Sequence, residues 1–99
     1  MEWFKEYIKG AMEEIRGARE YAEKSCEHKR LGDETAANKY KEMAKQEMNH
    51  AFYLLDMACA STGDSPESVA MKMMCAWIRE EAEEDKADIM HMLESTQNW

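Results

Sequence analysis

The chain has one proline, four glycines and no long apolar run, so little in it breaks a helix and nothing in it reads as a membrane span. The opening residues, Met1-Glu2-Trp3-Phe4-Lys5-Glu6, lack the apolar stretch of a signal peptide. Basic residues are outnumbered, 13 Lys and Arg against 21 Asp and Glu, which leaves a formal net charge of −8. A surface of that sign repels phosphate backbones and anionic lipid, so nucleic acid and membranes are not expected as partners, whereas cations are attracted. Cysteine is scarce as well. Cys26, Cys59 and Cys75 are odd in number, widely spaced and form no Cys-x-x-Cys, which predicts free, mostly packed thiols in a reducing cytoplasm. There is no phosphate-cradling Gly-rich loop and no serine triad, which sets hydrolase and transferase chemistry aside.

What remains is helical. Ninety-nine residues allow one domain, and ten Met with many Ala, Glu and Lys are strong helix formers. Two clusters punctuate the chain. Leu31-Gly32-Asp33-Glu34 pairs a terminating glycine with an N-cap Asp; Ser61-Thr62-Gly63-Asp64-Ser65-Pro66 ends one helix and starts the next, with Ser65 as cap and Pro66 in the first turn. The spacing predicts helices near 2–31, 34–61 and 66–96 in a single domain spanning 1–99. Short connections make neighbours antiparallel, so the expected fold is all-α, an antiparallel up-down-up three-helix bundle. Gly10 and Gly17, two turns apart inside the first helix, suggest that something approaches that face closely.

At about 100° per residue each helix shows a core stripe. The stripes are Phe4, Ile8, Ala11, Met12, Ile15, Ala18, Ala22 and Cys26; then Tyr40, Ala44, Met48, Ala51, Leu55 and Ala58; then Met71, Met74, Ile78, Ala82, Ile89, Met92 and Leu93. A second band adjoins each: Trp3, Tyr7 and Tyr21; Met43, Leu54 and Met57; Met73 and Trp77. Three helices cannot bury two bands apiece. The surplus predicts a homo-oligomer, a dimer or larger. The Met stripe itself reads as core filler or pliable interface, and Trp3, Trp77 and Trp99 as packing anchors.

Glu47 interrupts the apolar stripe of the second helix, and His50, three positions on, lies beside it. A carboxylate in such a setting needs a cation, an Arg or a proton. Folding the chain into a hairpin brings Glu14 near this level, with Glu80, Glu81 and Glu84 expected there from the third helix and Glu81 pointing most nearly inward. Carboxylates converging with one imidazole are the ingredients of a hard-cation site, iron or manganese before zinc. The alternative is a salt-bridged core in which Arg19 and Asp85 join Glu47 without metal, in a structural or protein-interaction module. His28 and His91 read as surface histidines.

Residues Glu42-Met43-Ala44-Lys45-Gln46-Glu47-Met48-Asn49-His50-Ala51 resemble the second helix of rubrerythrins and the wider ferritin-like superfamily, which reads E-x-A-x-Q-E-x-x-H-A. Glu14, 33 positions before Glu47, falls where that family places a Glu on the preceding helix, and Tyr21 and Gly32 match its tyrosine and turn glycine. The resemblance covers roughly the first 60 residues. It implies a di-iron centre with Glu14 as terminal carboxylate, Glu47 as bridging carboxylate and His50 as imidazole ligand, and with it oxidase- or ferroxidase-type chemistry. The family has four helices and a second Glu-x-x-His. Here Asp88-Ile89-Met90-His91 is the nearest equivalent, expected about two turns (roughly 10 Å) beyond Glu47 along the axis. Completion would then need a second chain bringing its own Glu14, Glu47 and His50, as encapsulated ferritins do between two short helical chains.

Overall fold

The computed structural model describes residues 2–63 and 65–95 and is helical throughout, with no strand among them. Helix α1 spans Glu2–Arg30, α2 Glu34–Ala60 and α3 Ser68–Ser95. Gly32 ends the first helix at a φ of 81°, a left-handed conformation that side chains resist. Asp33 caps the second, its side chain accepting from the Ala36 amide at 3.1 Å. Gly63, at φ 71°, serves the second turn. Ser65–Glu67 form a turn whose Ser65 carbonyl accepts from the Ser68 amide, so α3 begins two residues later than Pro66 suggested. Trp99 and the last expected helical residue, Thr96, lie outside the described residues.

Gly10 faces Leu54, Gly17 faces Glu47, and the Ser25 hydroxyl donates to the Ala37 carbonyl at 2.7 Å. These pairings descend one helix as they climb the other, so α1 and α2 are antiparallel. A Cβ on Gly10 would stand 3.1 Å from Leu54 Cδ1, and that is the close approach the glycine permits. Helix α3 runs with α1: Phe4 packs with Cys75, Ala11 with Ala82, and Ala18 and Ala22 with Ile89 and Leu93. Its other ties include the Arg19–Asp85 ion pair at 3.3 Å, the Arg79–Asp56 pair, and Cys26 Sγ to the Met92 carbonyl.

The stripes are buried in most places, with exceptions that share a cause. Met12 and Met74 were expected inside but are 59% and 49% exposed. Helix α3 lies along one side of the α1–α2 pair, and both residues fall at the edge of that seam, lining a groove with Phe4 and Ile8. The Cα radius of gyration, 15.9 Å against about 13 Å for a compact chain of this length, reflects a thin body with little interior. Trp3, Met73 and Trp77 of the second bands are correspondingly exposed.

Free thiols were expected at all three cysteines, and two are otherwise. Cys59 and Cys75 are joined as a disulfide between α2 and α3, with Cα atoms 5.8 Å apart, while Cys26 is free and half-buried. The pairing removes the free-thiol argument for a reducing compartment. No described helix is long and apolar enough to cross a membrane.

Candidate metal centre

Glu14 projects from the middle of α1, one turn from both Gly10 and Gly17, on the line where α1 meets α2. Glu47 and His50 project from α2 three positions apart, on one face of that helix. Antiparallel pairing at this level brings the three together. Each offers a ligand atom within 4.8 Å of the others, and among the described residues this is the group of acids, histidines and cysteines suited to holding a metal ion. His50 Nδ1 stands 3.9 Å from Glu14 Oε2. The imidazole is largely open to solvent, while both carboxylates are half-buried.

The electrostatics of the pair are unfavourable in isolation. Glu14 Oε2 is buried and, when Glu47 carries no proton to donate, has no hydrogen-bond partner. A buried acceptor without a donor costs the full desolvation of that atom, so the position calls for a proton or a cation. The Glu47 carboxyl is pushed up from 4.5 to about 7, first by its hydrogen-bonding contact with Glu14, then by burial and by the charge of Glu14; His50 partly offsets these. Near neutral pH the Glu47 carboxyl is therefore only partly ionised.

The Arg19 guanidinium pairs with Asp85, and no ion pair links it to Glu47 among the described residues. Glu81 was expected level with Glu47. In the structure Glu81 is exposed and lines a cleft with Ala11, Met12, Leu55 and Trp77, outside the group formed by Glu14, Glu47 and His50. The Cys59–Cys75 and Arg79–Asp56 pairs fix the antiparallel register of α2 and α3, and carried along the helices they place Asp88 near the level of Glu47 rather than two turns beyond it. Asp88 and His91 are exposed and outside the group. Both shifts follow from the axial position of α3, which is set by Cys75 against Phe4 and Ala58.

Helix α3 covers the side of the pair marked by Ile15, Met48 and Phe52. Glu14 and His50 are rotated from those positions by about a quarter turn or more. The centre thus opens on the face that α3 leaves uncovered, and Trp3, Tyr7 and Met57 form a shallow hollow near one end of that face. Gly17, read from sequence only as a point of close approach, faces the Glu47 carboxylate. Comparison of the chain with known protein families, curated proteins and solved structures returns no match.

Proposed function

We propose that this chain is a ferritin-like metal-binding protein that holds two iron ions between Glu14, Glu47 and His50 of one protomer and the same residues of a second. The observation that carries the reading is the buried, unpartnered Glu14 Oε2 turned toward a second carboxylate and an imidazole. A cation satisfies that atom, displaces the proton on Glu47 and removes the repulsion between the acids in one step. The donor set, two carboxylates and one imidazole, suits iron, with manganese as the next choice.

Three donors from one chain are too few for a pair of ions, and they lie on an uncovered face carrying Trp3, Tyr7, Met43 and Met57. A two-fold contact through that face would double the ligand set and cover the aromatic and Met side chains together. Bound there, iron would supply one-electron chemistry toward oxygen or peroxide. Glu14 and Glu47 would balance its charge and favour the higher oxidation state, and His50, exposed as it stands, would be drawn in by the contact.

The test is metal content. Aerobically purified protein should carry iron or manganese in fixed ratio to chain and scatter light as a dimer or larger, with the metal lost in His50→Ala. Absence of metal from both proteins would favour the second reading, a helical interaction module. The exposed Val69, Met73 and Trp77 of α3 suit such a role.

A further inference from the structure

We infer that Gly17 is a positioning residue of the metal centre: its missing side chain is the notch in which the Glu47 carboxylate lies against α1, aimed at Glu14. The inference rests on the metal-binding reading of Glu14, Glu47 and His50. A glycine in the middle of a long helix is less stable there than alanine, so its presence calls for a local reason. At Gly10 the reason is an apolar contact with Leu54 Cδ1. At Gly17 it is different in kind. The three atoms nearest a Cβ built there all belong to Glu47: Oε2 at 3.0 Å, the carboxyl carbon at 3.6 Å and Cγ at 3.9 Å. The nearest of these is a carboxylate oxygen, the atom type with which Glu47 would bind a cation.

Gly17 and Glu14 are three positions apart on α1, so notch and partner carboxylate occupy one face of the helix, one turn apart. A carboxylate seated at Gly17 is thereby brought beside Glu14 and His50. If the notch is filled, the main chain has no need to move, because Glu47 is a flexible side chain and can swing away. What is lost is the aim of one ligand by a few tenths of an ångström or more, in a site where ligand direction governs affinity. Fold stability and metal binding should therefore respond to the same substitution in opposite directions.

The experiment uses the full chain with Gly17→Ala, Gly17→Val and Gly10→Ala, titrated with Mn2+ and with Co2+, whose visible spectrum reports ligand geometry. Melting temperature is measured separately in chelator. Gly17→Ala should melt at or above the wild-type temperature yet bind both ions about tenfold more weakly, with an altered Co2+ spectrum. Gly17→Val should bind more weakly again, and Gly10→Ala should stay within about twofold of wild type. Wild-type affinity and spectrum in Gly17→Ala would overturn the inference alone, as would an equal loss in Gly10→Ala, which would assign the effect to helix spacing. Wild-type protein that takes up neither ion would overturn the metal reading, and this inference with it.

Discussion

Replacing Glu47 with Gln separates the cost of the centre from its use. In the metal-free chain the Glu47 carboxyl ionises near 7 rather than at 4.5, because Glu14 and burial favour its protonated form. Below pH 4.5 the group is protonated both folded and unfolded, and its contribution to stability is complete. As pH rises from 4.5 to about 7 the unfolded chain gives up the proton while the folded chain keeps it, so folding weakens throughout that window. A displacement of that size sets an upper limit of about 3 kcal/mol. Solvent around the exposed His50 screens the site, so about 1–2 kcal/mol is the expected loss. Glutamine has nearly the same shape, carries no charge, and can donate its amide N–H to the unpartnered Glu14 Oε2. Urea denaturation in chelator should therefore find Glu47→Gln more stable than wild type by about 1–2 kcal/mol at pH 8, with the difference closing toward pH 4.5. Excess Mn2+ should reverse the order at pH 8, since only the wild-type site gains the mass-action term of a bound ligand. A variant less stable than wild type at pH 8, or a difference independent of pH, would show that Glu47 is not held in conflict with Glu14.

Two further outcomes test the frame around the centre. Converting Cys59 and Cys75 together to Ser opens a bridge between positions 16 apart and should lower the unfolding free energy by about 3 kcal/mol, read from the urea midpoint. Before that change, thiol titration of the folded protein should find one reactive group, Cys26, slowed because burial pushes its thiol above the ordinary range; three fast thiols would refute the pairing. Ser25→Ala removes the buried hydroxyl that donates to the Ala37 carbonyl and should cost about 1 kcal/mol without changing metal content, and an unaltered midpoint would count against that bond.

The helix ends were legible because they rest on backbone chemistry that single residues announce. Gly32 adopts a positive φ and Asp33 accepts from Ala36, as residue type alone suggests. The apolar period was legible too, but a period identifies a stripe and not its edges. Met12 and Met74 sit at the margin of their stripes, and exposure there depends on how far α3 rolls across the pair, a quantity no single helix encodes. Ser25, polar and off the expected stripe, is buried because a carbonyl on α2 happens to face it. The same dependence hid the disulfide. Cys59 and Cys75 meet only once the turn between α2 and α3 fixes where α3 begins to pack.

The centre divides along the same line. Glu14, Glu47 and His50 could be brought together on paper because α1 and α2 are joined by a turn of three residues, and a hairpin that tight leaves little freedom in axial register. Glu81 could not be placed, because its level depends on the path through residues 61–67. A shift of two turns there exchanges Glu81 for Asp88 at the level of Glu47. Neither acid joins the group, which leaves α3 packed on one face of the hairpin and Glu14 and His50 on another. The helix carrying the disulfide and the core residues Ala82, Ile89 and Leu93 packs against the hairpin from behind. On the opposite face Gly17 leaves room for the Glu47 carboxylate to lie against α1 beside Glu14.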